Sequence, residues 1–150
     1  MKKAKIIMIS SSGGHYEQLS MLKSLEEKYN LIWITEKTKY KSKADYYLFQ
    51  TGTTDKLYLL KMIWIFLRSL FIWIKERPDY VVTTGAIIAI PISLIAKVFR
   101  KKVIFIETYA RIENSSKTGR FFHKFADLFI VQWEKLEKHY PKSKFGGSIY

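Results

Sequence analysis

The stretch Ile6-Ile7-Met8-Ile9-Ser10-Ser11-Ser12-Gly13-Gly14-His15 decides the fold. Its first four residues are continuously apolar, the pattern of a strand covered on both faces rather than one facing water. Small residues follow, and a helical pattern opens at His15, so the segment reads as strand, loop and helix. Serines and glycines let the backbone approach a ligand closely, and a helix start behind them favours anions. The spacing is neither G-x-G-x-x-G nor G-x-x-x-x-G-K-[ST], so some other use of the same geometry is required.

Further apolar runs of strand length occur at Leu31–Thr35, Tyr46–Gln50, Tyr80–Thr84, Val103–Glu107 and Leu128–Gln132, with the first strand at Lys5–Ser10. Helical stretches alternate with them at His15–Lys28, Asp55–Glu76, Ala86–Arg100, Thr118–Ala126 and Glu134–Tyr140. This alternation predicts an α/β fold, a doubly wound, mostly parallel Rossmann-like sheet, in one domain over residues 1–150. Ligands bind such sheets at the carboxyl ends of the strands. Thr83-Thr84-Gly85-Ala86 is a second strand-to-helix junction rich in small residues, expected on the same edge as Ser10–His15. Pro91 predicts a late start or a kink in the helix around it. The basic run Glu36–Lys43 reads as a solvated loop.

The chain has 26 Lys and Arg against 13 Asp and Glu, a net charge of +13, which implies an anionic partner. The lysines sit on no recognisable recognition helix and the aromatics lie in apolar runs, which argues against nucleic acid. There is no cysteine, so disulfides and thiolate metal sites are excluded, and His15, His123 and His139 are too scattered for a zinc motif. No Asp-x-Asp pair offers a carboxylate cradle for a metal diphosphate. The opening Met-Lys-Lys-Ala-Lys and short apolar run lack the form of a signal peptide, so a cytoplasmic location is expected.

Leu57–Ile74 is eighteen residues long with two charges, Lys61 and Arg68. A membrane span needs about 20 apolar residues, and each central basic residue costs about 2.5–3.5 kcal/mol on insertion scales, so spanning is disfavoured. Lys61, Arg68 and Lys75 recur every seven residues and fall on one stripe, leaving more apolar circumference than a sheet can cover. The surplus predicts contact with the membrane interface through Lys61, Trp64, Arg68, Phe71 and Trp73. A crossover helix covered by a neighbouring element or a partner protein is the competing reading.

At the predicted ligand edge, His15 is a candidate base, since a helix start disfavours its cation; a helix-start residue bonded to its own loop is the competing reading. Glu17 reads as a capping residue. Glu107 could bind sugar hydroxyls or act as a base, and Arg111 could hold phosphate, or the two could form a surface pair. Ser115–Thr118 reads as a helix cap.

Five segments recur in order: Ser-Ser-Gly-Gly-His at 11–15, Arg-Pro-Asp-Tyr-Val-Val-Thr-Thr-Gly at 77–85, Ile-Glu-Thr-Tyr-Ala-Arg at 106–111, Thr-Gly-Arg…Ala-Asp-Leu-Phe-Ile-Val-Gln-Trp within 118–133, and Phe-Gly-Gly-Ser-Ile-Tyr at 145–150. Together they resemble the bacterial PssD/CpsF-type polysaccharide biosynthesis proteins, a family similar to the membrane-anchoring subunit of the eukaryotic two-chain UDP-GlcNAc transferase of N-glycan synthesis. The resemblance implies the acceptor-side, N-terminal half of a MurG-like GT-B glycosyltransferase. It implies a separate small donor-binding subunit that holds most of the UDP-sugar, a lipid-diphosphate-linked acceptor, no cofactor and no metal. It places the base at His15 and the acceptor diphosphate at Ser12, Gly13, Gly14, Thr84, Gly85 and Arg111, with Glu107 lining the cleft and Gly146-Gly147 docking the partner. The expected setting is capsule or exopolysaccharide synthesis on the inner face of the plasma membrane, with the chain inactive or weak alone; a non-catalytic scaffold that recruits the partner is the alternative. The eukaryotic subunit begins with a transmembrane anchor, and no such segment is read here. Attachment is therefore expected from the 57–74 helix and the lysines, or from the partner.

Overall fold

Residues Ile6–Ile9 form the centre of strand β1 (Lys5–Ile9), and they sort by parity as a doubly covered strand must. Ile7 and Ile9 join one buried cluster, Ile6 and Met8 another. The computed structural model describes residues 3–39, 42–52 and 56–150. Within them β2 (Asn30–Lys37), β3 (Tyr46–Phe49), β4 (Tyr80–Thr83), β5 (Lys102–Ile106), β6 (Leu128–Val131) and β7 (Lys144–Phe145) complete the sheet. Its order is β3-β2-β1-β4-β5-β6-β7, and every neighbouring pair is parallel. Met8 lies opposite Trp33 on one side and Val82 on the other.

Helix α1 (Gly14–Ser20) and a 3-10 stretch (Met21–Glu27) belong to the face of Ile6 and Met8, where Leu19 is buried. Helices α2 (Tyr58–Glu76), α3 (Ala89–Val98) and α4 (Lys117–Phe122) cover the other face, with Ile65, Ile72, Ile92 and Phe122 in the core. The winding reverses between β1 and β4, which opens a crevice at their carboxyl ends. At the opposite edge two aspartates pin strand starts. Asp79 accepts from the Lys5 amide at 3.1 Å and pairs with Lys101 at 2.9 Å. Asp127 accepts from the Val103 amide at 2.8 Å and pairs with Lys97 at 2.9 Å.

The doubly wound fold agrees with the sequence reading, whereas several boundaries differ. The helix expected over His15–Lys28 gives way to 3-10 geometry after Ser20, whose hydroxyl donates to the Glu17 carbonyl at 2.6 Å. Met21–Glu27 buries no residue fully, so packing does not enforce an α register. Residues 134–139 are likewise 3-10 rather than α. Helix α3 starts at Ala89, because Gly85 and Ala86 have φ of 111° and 84°, outside helical space. Pro91 then sits in the first turn, where its missing N–H is not needed. Strand β2 runs on through Lys37 with Glu36 buried, so the supposed solvated loop is part strand. Asp55, the expected start of the long helix, lies outside the described residues; the observed helix begins at Tyr58. Strand β7 has no apolar run to announce it. It forms by backbone pairing with β6 alone, and its end is fixed by the Gly146 N–H donating to the Val131 carbonyl at 3.0 Å.

On α2 the buried residues are Ile65, Ser69, Ile72 and Trp73, while Leu59, Leu60, Ile63, Phe66, Leu67, Phe71 and Ile74 face outward. Exposed Leu94 and Val98 of α3, and Phe99 after it, add to the uncovered apolar surface. Trp73 is therefore corrected as a membrane-contact residue: it is 4% exposed and packs on Phe99 at 5.7 Å between ring centroids, whereas Phe71 is 53% exposed. No helix among the described residues is long and apolar enough to cross a membrane. Trp73→Ala is expected to cost about 3–5 kcal/mol of stability, the usual range for deleting a buried aromatic, and Phe71→Ala less than about 0.5 kcal/mol. Urea unfolding of the two variants checks which way the helix faces.

Candidate active-site cleft

The loop after β1 is built on glycine. Gly13 has φ 79°, and a Cβ on Gly13 or Gly14 would have no heavy atom within 4 Å, so the backbone here faces open space. Its carbonyl accepts from the Glu17 amide at 3.0 Å, which starts α1. Glu17 itself is exposed and makes no side-chain cap bond, so the capping role expected of it is not seen. Ser12 turns away from the loop mouth and gives its amide and hydroxyl to the buried Glu36 carboxylate, which also accepts from the Thr51 amide. Burial pushes the Glu36 carboxyl up, and those three hydrogen bonds pull it back.

The loop after β4 closes the other side of the crevice. Thr84 is buried, and its hydroxyl donates to the His15 carbonyl at 3.0 Å, tying the two junctions together. Thr83 Oγ1 accepts from the Gly85 amide at 2.9 Å and holds the turn. Gly85 backs onto the Phe105 ring and His15 Cε1, with 3.7 and 3.9 Å left for a Cβ, so its φ rather than space demands glycine. Ala86 shares the positive-φ region without being glycine, a strained conformation of a kind that clusters at functional sites.

His15 is half-buried between these loops. Desolvation holds its imidazole below the ordinary value of 6.5, opposed by the Thr84 backbone and, more weakly, the Glu107 charge. Nδ1 is buried with no hydrogen-bond partner. The ring borders a cleft of about 520 Å³ lined by Gly14, His15, Thr108, Tyr109, Ala110 and Tyr150. Neutral imidazole with a free nitrogen can accept a proton or a hydrogen bond.

Glu107 does not line that cleft, which corrects the expectation. Its carboxylate is 1% exposed and accepts from the Ser116 hydroxyl at 2.9 Å, the Thr108 amide at 3.0 Å and the Tyr140 hydroxyl. Ser116 caps α4 through the Gly119 amide at 2.8 Å, as the sequence suggested. Burial, then the neighbouring carboxylate, push the Tyr140 phenol far up, so it remains a donor. Glu107 thus anchors the loop Thr108–Arg111 from below and makes no ion pair with Arg111, which is exposed on the turn closed by its amide and the Thr108 carbonyl at 3.0 Å. The Glu107 carbonyl accepts from Gln132 Nε2 at 2.9 Å, and Gln132 Oε1 accepts from the Ile149 amide at 3.0 Å. These bonds lay the last residues across the crevice, where Tyr109 meets Trp133 and Tyr150 at 4.8 and 5.4 Å.

The structure therefore brings Gly14 and His15 together with the 108–110 loop, and places Thr84 and Gly85 behind His15. Gly146 passes so close to β6 that a Cβ would lie 2.7 Å from Ile130 Cγ2, and Gly147 has φ 73°. Glu36, Tyr140 and Gln132 were missed by sequence reasoning, the first because it opens a lysine-rich run. Among the described residues no cluster of three or more His, Asp or Glu could hold a metal ion.

Two measurements check this geometry. In an NMR titration His15 should protonate with a midpoint below 6.5. Because burial depresses the folded value, the neutral ring's contribution to stability is complete above about pH 6.5 and is lost as pH falls through the lowered midpoint. Gly119→Ala would drive a methyl into Glu107 Oε2, the Tyr140 hydroxyl and Ser116 Oγ, the last at 2.8 Å. Overpacking of this kind costs about 1–3 kcal/mol, read in urea unfolding, with the 107–116 amide signals shifted.

The fold recurs in solved structures, which at these identities speaks for architecture alone. UDP-N-acetylglucosamine 2-epimerase from Rickettsia bellii superposes with TM-score 0.76 at 14% identity, over 98% of this chain and 45% of that one. Acinetobacter baumannii MurG gives 0.71 at 16% identity, over 88% and 42%. The fold is of the GT-B type, of which this chain spans less than half. Among curated proteins, the human UDP-N-acetylglucosamine transferase subunit ALG14 is 36% identical over 81 residues, 50% of this chain and 38% of the relative. Its Candida albicans counterpart is 26% identical over 174 residues, 99% of this chain and 80% of the relative. The family model described as oligosaccharide biosynthesis protein Alg14 like matches residues 50–149. This chain belongs to the Alg14-like family of oligosaccharide biosynthesis proteins.

Proposed function

We propose that the chain is the acceptor-binding and membrane-docking subunit of a two-chain UDP-sugar glycosyltransferase, with a lipid-diphosphate-linked sugar as acceptor. The observation that carries this reading is the open His15 cleft at the β1/β4 switch point, on the same sheet as an uncovered apolar helix face. A buried imidazole nitrogen without a partner is unfavourable until something polar reaches it, and a sugar hydroxyl is the natural complement. His15 is then the base that takes the hydroxyl proton as the new glycosidic bond forms. The diphosphate leaving group departs on the partner, which holds most of the nucleotide; no metal is invoked. Gly13 and Gly14 leave room for the acceptor diphosphate, Arg111 offers a cation beside it, and the 146–147 turn meets the partner. The setting is bacterial capsule or exopolysaccharide synthesis, with the chain peripheral on the inner face of the plasma membrane. The resemblance of the five segments to PssD/CpsF-type proteins is what supports that setting.

The outward face of α2 supplies the membrane contact, through Leu60, Ile63, Trp64, Leu67 and Phe71. Apolar area buried in the interface and basic residues beside it both favour binding to an anionic bilayer.

Activity is expected only when both chains are present: UDP-GlcNAc turnover on membranes should require this chain, its partner and the lipid acceptor together. Full turnover by the partner alone would sink the proposal. His15→Ala in the folded complex should lower turnover by about 10²–10⁴-fold, the usual contribution of a general base. One observation favours the scaffold reading instead: Glu107 is locked inward, so no carboxylate side chain among the described residues stands with His15 in the cleft. That reading predicts that His15→Ala is tolerated while Phe71→Asp abolishes turnover.

A further inference from the structure

A second cleft, of about 640 Å³, lies between β3 and α2, away from His15. Lys37, Tyr47, Leu48, Phe49, Trp64 and Arg68 contribute to its walls. Trp64 and Phe49 pack with ring centroids 4.2 Å apart and planes tilted by 44°, and both are partly exposed. Arg68 reaches across Phe71 with its guanidinium 5.3 Å from the ring centroid, and its Nε is buried with no hydrogen-bond partner. The one carboxylate among the described lining residues, Asp45, already accepts from the Trp33 amide at 2.8 Å. Tyr47 is engaged as well, donating to the Ser42 carbonyl at 2.6 Å.

Among the described residues the cleft therefore offers two cations, an unsatisfied guanidinium donor and an aromatic wall. It also borders the outward apolar face of α2, since Trp64 and Arg68 lie along the edge of the strip formed by Leu60, Ile63, Leu67 and Phe71. We infer that this cleft binds the phosphate of an anionic phospholipid headgroup, with the acyl chains lying along α2. Charge complementarity selects the phosphate, and continuity with the apolar strip selects a lipid over a free anion. A guanidinium fork suits phosphate oxygens better than an ammonium does. The inference rests on the membrane-docking reading of α2 and adds to it a specific headgroup site.

Two assays test it separately. In solution, dihexanoylphosphatidylglycerol should shift the Trp64 indole NMR signal and inorganic phosphate at equal concentration should not. Arg68→Gln should abolish the shift, and Arg68→Lys, which keeps the charge but not the fork, should weaken it. An unresponsive indole, or an equal response to phosphate, overturns the inference. On vesicles, Arg68→Gln with Lys37→Gln should weaken binding to phosphatidylglycerol-containing bilayers by several hundred-fold, well beyond the roughly thirty-fold that two charges lose through diffuse attraction, while Lys75→Gln, on the same helix outside the cleft, should cost about five-fold or less. Equal loss per charge removed at all three positions means diffuse attraction and also overturns it. Absence of vesicle binding together with an intact response to the soluble lipid would remove the membrane-docking reading and leave the cleft standing.

Discussion

A parallel strand in the middle of a sheet must be covered on both faces, and that constraint organises the molecule. β1 obeys it residue by residue, sending Ile7 and Ile9 to one layer and Ile6 and Met8 to the other. Helices must then cover both sides, α1 on one and α2 to α4 on the other, and the side changes where the chain jumps from β3 back to β4. The crevice left at that jump cannot be filled by either flanking helix, so the loops after β1 and β4 meet across it. The hydroxyl of Thr84 on the His15 carbonyl is the bond that joins them.

Around that crevice the backbone sits where packing alone would not place it. Gly13, Gly85 and Ala86 all have positive φ. Buried polar anchors hold these turns: Glu36 grips Ser12, Thr83 grips Gly85, and Glu107 fixes the loop opposite through Ser116, Thr108 and Tyr140. Two carboxylates are thus committed to shaping the cleft from beneath, and neither faces into it. What remains at the surface, among the described residues, is backbone, aromatic rings, the small side chains of Thr108 and Ala110, and one imidazole, a lining suited to hydroxyls more than to cations.

The sequence disclosed what depends on contrast and concealed what does not. Strands β1, β4, β5 and β6 stand out because apolar runs end in small or polar residues. The rotation of α2 was hidden: Trp73 and Phe71 are both aromatic and two residues apart, yet one is core and the other surface. When a helix is apolar nearly all round, periodicity no longer names its inner face. Glu107 was legible as important and illegible in role, because its partner Tyr140 lies 33 residues downstream and is brought back only by the turn after β6. Glu36 was concealed by its lysine neighbours, whose composition suggests solvent while the strand carries the carboxylate inward.

The uncovered surfaces complete the same argument. A sheet of this width uses one stripe of α2, and the stripe it uses is Ile65, Ser69, Ile72 and Trp73. Everything on the outward arc is then surplus to folding and costs solvent exposure of leucine, isoleucine and phenylalanine. The surplus is not random in position. It is continued by Leu94, Val98 and Phe99 and edged by Arg68, so the apolar strip and its charged border form one surface. An anionic bilayer satisfies both parts at once. A protein partner covering the apolar strip would need its own acidic edge to match, and the +13 charge of the chain asks for that complement over more than one helix. The unsatisfied guanidinium at the border adds a hydrogen-bond donor to a face that is otherwise only apolar.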